Sequence, residues 1–220
     1  MRMNNKTANK ARILSIEEVT AGVFILRFTR EFPFKAGQML WVRYPTDGPA
    51  RLYSIASGEE EPYFEIIFDV VENGALTPIL SKVKPGEDVW ISEPSGKFTS
   101  DGKPAVWIAT GTGIAPFASM ARSGLYRQTL LIQGGRYCSS FYYHEIFEHL
   151  PSFEYVKCVS RESSEGCFTG RVSRYIETCY QPLPQRQHLL CGSAEMVVEV
   201  RDLLIARGIP YKNIISEIYF

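Results

Sequence analysis

A continuous apolar run, residues 105–109, is followed at once by Thr110-Gly111-Thr112-Gly113-Ile114-Ala115-Pro116. This is the feature that most constrains the fold. An unbroken apolar run of that length marks a strand buried on both faces, as in a parallel sheet covered by helices. Two glycines directly after it allow a tight turn, and Pro116 suits the first turn of a helix. Strand, glycine turn and helix in that order form the setting in which a helix N-terminus meets a phosphate. The spacing is not G-x-G-x-x-G, and an ordinary tight βα turn is the plainer alternative.

The rhythm around this feature divides the chain. Downstream, residues 129–133, 154–160, 188–191 and 214–218 read as further buried strands, with helices at 142–149, 172–178 and 194–207. In the last helix Met196, Val197, Val200, Leu203 and Leu204 share one face. Alternating strand and helix predicts an α/β doubly wound parallel sheet. Upstream, short strands at 23–28, 39–44, 51–56, 63–71 and 88–92 are separated by Gly/Pro turns, with one short helix at 76–82. That pattern predicts an antiparallel β-barrel. The expected domains are 1–101 and 102–220, with a cleft between them.

Composition narrows the function classes. Lys+Arg and Asp+Glu balance at 24 each, which argues against a nucleic-acid binder acting through bulk charge. No apolar run approaches the roughly 20 residues of a membrane span, and the first residues lack the apolar stretch of a signal peptide. A soluble cytoplasmic monomer is expected. The five cysteines (138, 158, 167, 179, 191) are widely spaced without a CxxC, so neither a disulfide framework nor a metal or iron–sulfur site is expected.

Four further motifs carry chemistry. Arg51-Leu52-Tyr53-Ser54 lies on a strand, and Gly74-Ala75-Leu76-Thr77 follows about 20 residues later. A pyrophosphate needs a cation, free N–H groups and a hydroxyl, which Arg51, the Gly74 turn and Thr77 offer. A flavin ring needs an aromatic surface and a hydrogen-bond partner, which Tyr53 and Ser54 offer. An ordinary strand with a surface Arg and a half-buried Tyr is the alternative. Ser160-Arg161, Gly170-Arg171 and Arg136 fall at the ends of predicted strands and suit a phosphate monoester; scattered solvated arginines are the alternative. Cys191-Gly192-Ser193 opens the last long helix with small residues, although Cys191 also reads as a small buried hydrophobe. Finally, the sequence closes on Glu217-Ile218-Tyr219-Phe220, two aromatics that either cover a ring or simply pack on the last strand.

In this order the motifs resemble the bacterial ferredoxin (flavodoxin)–NADP reductases over nearly the whole chain. The family's Glu-x-Tyr-Trp ending has Phe220 in place of Trp. The resemblance implies an FAD-dependent oxidoreductase that exchanges electrons between NADP(H) and a separate ferredoxin or flavodoxin. It implies that Arg51, Leu52, Tyr53, Ser54, Gly74, Ala75, Leu76, Thr77, Thr112, Tyr219 and Phe220 hold FAD. It places Gly111, Thr112, Gly113, Arg136, Ser160, Arg161, Arg171, Cys191, Gly192, Ser193 and Met196 on NADP. Ser54, Cys191, Glu217 and Tyr219 would surround the reacting atoms, with Ser54 on flavin N5 and Tyr219 over the opposite face. Two alternatives belong to neighbouring classes: the reductase component of an oxygenase, and a flavin-containing electron-relay subunit. Many relatives of both kinds carry cysteine clusters that this sequence lacks.

Overall fold

The structure, a computed structural model, describes residues 8–219. Its first half is a six-stranded antiparallel sheet of β1 (Asn9–Thr20), β2 (Val23–Thr29), β3 (Met39–Arg43), β4 (Ala50–Ser54), β5 (Tyr63–Asp69) and β6 (Asp88–Ile91), in the order β4-β3-β6-β1-β2-β5. The sheet curls so that its two ends meet: Ala56 N, just past β4, donates to Glu65 O of β5 (2.8 Å). Alternating side chains fill the interior, among them Ile13, Leu26, Phe28, Leu40, Val42, Phe64, Ile66, Phe68 and Ile91. The helix expected at 76–82 is one turn, α1 (Thr77–Leu80).

The sequence reading begins its strands at Val23 and misses β1. This twelve-residue strand alternates cleanly only at its start, where Ala11 and Ile13 are buried. A register shift between Ile13 and Ser15 then breaks the period, and the polar second half pairs with β2 while the first half pairs with β6.

The second half is all parallel. Its strands are β7 (Ala105–Thr110), β8 (Thr129–Gly135), β9 (Phe153–Val159), β10 (Phe168–Thr169), β11 (Gln187–Ser193) and β12 (Ile214–Tyr219), in the order β10-β9-β8-β7-β11-β12. The order reverses between β7 and β11, which puts a crevice outside their C-terminal ends. Val106 and Ile108 pack on α4 (Val172–Thr178) and α5 (Ala194–Ala206), whereas Trp107 and Ala109 pack on α2 (Ala115–Arg122) and α3 (His144–Glu148). The apolar run of β7 is thus buried on both faces. The glycine turn after it is a short 3-10 helix, Gly111–Ile114. The helix expected at 142–149 begins only at His144, because Tyr143 adopts a left-handed φ of 61°. β10, two residues long, is too short to show a period in sequence.

The two halves share a core. Val23, Ile25, Ala56, Ile67 and Phe98 of the first half join Trp107, Phe117, Met120 and Leu131 of the second in one buried cluster. That contact fixes the orientation of the cleft.

Candidate functional site

On β4, Arg51 is exposed and Leu52 more than half exposed, while Ser54 is buried. The Arg51 guanidinium donates back to the Ala50 carbonyl (2.9 Å) and otherwise projects outward. Tyr53 rests edge-on against Phe68 (6.2 Å between centroids), and burial pushes its hydroxyl up to about 12. An exposed arginine beside an exposed leucine and a supported aromatic ring is a surface shaped for a ligand that is both anionic and flat.

The loop after β5 closes on itself. Gly74 N donates to Val71 O (2.8 Å), and Val71 N donates to Thr77 Oγ1 (2.9 Å). The Thr77 oxygen therefore has a structural duty that its sequence position does not reveal, and that bond leaves its hydroxyl hydrogen unused. Ala75 is exposed on this loop, whereas Leu76 is buried in the barrel core.

At the crevice the two strand-end turns form one packed piece. A Cβ on Gly113 would fall 2.5 Å from the Cys191 carbonyl oxygen, and a Cβ on Gly192 would fall 2.3 Å from Thr110 Oγ1. Gly111, by contrast, has φ +56° and open space where a Cβ would point. This is a cradle whose floor is closed by backbone contact and whose mouth is open. α5 rises from it with Ser193 as N-cap, its Oγ accepting from Met196 N (3.3 Å). Both turns fit a dinucleotide phosphate approaching the backbone closely.

The two halves meet over this crevice. Ser54 Oγ of β4 donates to Glu217 Oε1 of β12. Glu217 is in turn paired in register with Cys191 on β11. Ser54, Cys191 and Glu217, predicted from three distant stretches, are thus brought together. Burial raises the Glu217 carboxyl above its usual range, and the Ser54 hydrogen bond partly opposes that rise. Beside Glu217 lies a cavity of about 450 Å³ that also touches Met39, Lys97, Phe98 and Ile215. The side chain of Tyr219 and all of Phe220 lie outside the described residues; the Tyr219 backbone pairs with Ser193.

Ser160, Arg161 and Arg171 line a second cavity, about 350 Å³, together with Gly170, Ser173 and Arg174. Arg171 also meets Glu195 at 3.3 Å, an exposed pair. Arg136 is the exception among the predicted arginines. Its carbonyl accepts from Arg161 N (3.0 Å), but its side chain does not line the cavity and its charge acts on Asp69 instead. Sequence reasoning missed Ser173 and Arg174. The available signal was helical spacing, since Arg174 lies one turn beyond Arg171 on α4.

Comparison with known proteins settles the family. Residues 10–100 match the model of the oxidoreductase FAD-binding domain, and residues 107–202 match that of the oxidoreductase NAD-binding domain. A ferredoxin–NADP reductase of Azotobacter vinelandii is 33% identical over 91% of this chain and 90% of its own length. The chain belongs to the ferredoxin–NADP reductase family. A flavodoxin/ferredoxin–NADP reductase of Escherichia coli is 31% identical over 75% of this chain and 76% of its own length. A solved ferredoxin–NADP reductase from Neisseria gonorrhoeae, described with bound FAD and NADP, shares the fold at a TM-score of 0.89 over 98% of this chain and 100% of its own, with 23% identity. This member of the reductase family is accordingly an oxidoreductase with FAD and a nicotinamide nucleotide as cofactors. Among the described residues no helix is long and apolar enough to cross a membrane.

Proposed function

We propose that this protein carries electrons between NADP(H) and a separate one-electron carrier, a ferredoxin or flavodoxin. The observation that carries the reading is the Ser54–Glu217 hydrogen bond, which joins the flavin-motif strand to the strand beside Cys191. Bound FAD would supply the conversion between two-electron hydride chemistry and one-electron transfer.

The chain's own residues do the rest. Arg51 binds the pyrophosphate of FAD by charge-assisted hydrogen bonds, with the Gly74–Thr77 loop and Thr112 alongside. Tyr53 supports one ring face from its seat on Phe68. Ser54, its hydroxyl oriented by Glu217, is the hydrogen-bond partner at the reacting edge. Gly111, Thr112 and Gly113 receive the nucleotide phosphates, and Cys191, Gly192, Ser193 and Met196 lie on the nicotinamide side. Ser160, Arg161 and Arg171 hold the 2′-phosphate, and Ser173 and Arg174 complete that cavity. The family resemblance would give the remaining ring face to Tyr219, whose side chain lies outside the described residues.

Two measurements test this. Acid extraction of the purified yellow protein should release FAD; release of FMN alone, or a colourless protein that cannot be reconstituted, overturns the flavin assignment. Arg161→Ala should lower kcat/KM for NADPH by roughly 10- to 100-fold, the equivalent of about 1.5–3 kcal/mol for a charged hydrogen bond, and leave NADH turnover nearly unchanged. An equal loss with both nucleotides would make Arg161 a structural residue and remove it from the 2′-phosphate site.

A further inference from the structure

A second polar contact between the halves lies away from the cofactor motifs. Glu65, on β5, is fully buried. Its Oε2 accepts from Arg27 Nε of the neighbouring strand at 2.6 Å. Its Oε1 accepts from two groups of the other domain: Arg122 Nη1 at 2.8 Å and the Tyr143 hydroxyl at 3.0 Å. The Arg122 guanidinium also sits 5.2 Å from the centre of the Tyr143 ring. A carboxylate without access to water is tolerated only when such partners are held in place. Tyr143 is held at a backbone cost, since its φ of 61° is rare for a non-glycine residue.

This cluster connects to the reacting edge from both sides. On the barrel side, the Glu65 carbonyl accepts from Ala56 N (2.8 Å) and its amide donates to Ser57 Oγ (3.1 Å). Those residues continue the chain directly from Ser54. Ser119 of α2 adds a bond to the Ser57 carbonyl (2.6 Å), and Arg122 reaches the Ala56 carbonyl (3.3 Å). On the nucleotide side, Arg122 is the last residue of α2, and the first turn of α2 grows out of Gly111–Ile114. One short rigid helix therefore has the nucleotide cradle at one end and the clamp at the other.

We propose that Glu65, gripped by Arg122 and Tyr143, is a positioning residue. It sets the angle between the domains and thereby the separation of Ser54 from the nucleotide cradle during hydride transfer. This rests on the reading under Proposed function. The clamp touches neither reacting atoms nor cofactor, and acts by holding two elements that do. Misplacement of reacting groups by about 1 Å from a distant mutation costs on the order of 100-fold in rate, so a loosened clamp should appear in the chemical step rather than in nucleotide affinity.

The test uses the FAD-loaded full chain. Glu65→Gln keeps the side chain's shape and removes its charge; Tyr143→Phe removes one donor and keeps the ring beneath Arg122. Stopped-flow reduction by NADPH gives the hydride-transfer rate. A titration with oxidised NADP gives its affinity and the long-wavelength flavin–nicotinamide band. We expect Glu65→Gln to slow hydride transfer roughly 10- to 100-fold and to weaken the band. Tyr143→Phe should do the same to a smaller degree. Both variants should keep their FAD and bind NADP within about threefold of wild type, since the phosphate contacts are intact. Variants that melt earlier but pass hydride at the wild-type rate with an unchanged band overturn the proposal and leave the cluster as a domain fastener. If Glu65→Gln fails to fold, Tyr143→Phe decides by the same criterion. A wild-type protein that holds no FAD, or is not reduced by NADPH, defeats the functional reading itself, an outcome separate from the variants' behaviour.

Discussion

At Glu65 the two domains are joined by two hydrogen bonds to one buried carboxylate, which a third bond anchors within the barrel; at Ser54 they are joined by a single hydroxyl reaching Glu217 beside an open cavity. The carboxylate of the first junction is closed to water. The second lies, on the function proposed above, where a nicotinamide would enter. The contrast teaches how a two-domain cleft can be both exact and enterable. On that proposal, the more heavily bonded junction stands away from the chemistry, and the working side is held by one hydroxyl contact.

Arg122→Ala is the severest challenge to that contrast. It strips a cation from Glu65 while the carboxylate stays buried, so we expect a loss of about 3–5 kcal/mol in denaturant unfolding. A loss below about 1 kcal/mol would mean that Glu65 is solvated after all and that the junctions do not differ in kind. Ser54→Ala should cost much less, about 1–2 kcal/mol, because one neutral donor is removed and its acceptor, Glu217, borders a cavity. Equal penalties for the two substitutions would erase the distinction.

The smallest effect concerns pH. Burial raises the Glu217 carboxyl above 4.5, so the folded protein holds that proton more tightly than the unfolded chain does. The associated stability is complete below pH 4.5 and drains away as the pH climbs through the folded-state value. Glu217→Gln keeps a hydrogen-bonding group and cannot ionise. Its melting temperature should therefore gain on wild type as the pH rises from 4 to 8. A constant offset across that range would show that Glu217 ionises as freely in the fold as outside it.

Much of the cofactor-facing architecture is legible in the sequence, since its signals are local. The β7 run, the turn after it and the Arg-x-Tyr-Ser strand each announce themselves within seven residues. Glu65 did not register. A carboxylate inside Tyr63-Phe64-Glu65-Ile66-Ile67-Phe68 is visible as an anomaly, yet its partners lie 57 and 78 residues further on, and no local pattern pairs them. The packing of Gly113 against Cys191 is hidden for the same reason. Each glycine is explicable alone as turn chemistry, and only the fold shows that each leaves space for the other's strand end. Arg136 shows the opposite limit: strand-end position predicts which edge an arginine joins, not which way its side chain leans.

The division of β1 between two partners bears on how the barrel comes into being. Its second half pairs with β2 across a tight turn, whereas its first half waits for β6, with Asn9 opposite Ile91 and Arg12 opposite Asp88. A hairpin of that kind forms in microseconds; a pairing between segments so far apart must first overcome the entropy of closing a long loop. During synthesis the opening strand is therefore half finished until nearly all of the first domain has left the ribosome. The stretch from Asn9 to Arg12, with the apolar Ala11 in it, is an exposed edge for that interval, and β6 is the cover that ends it.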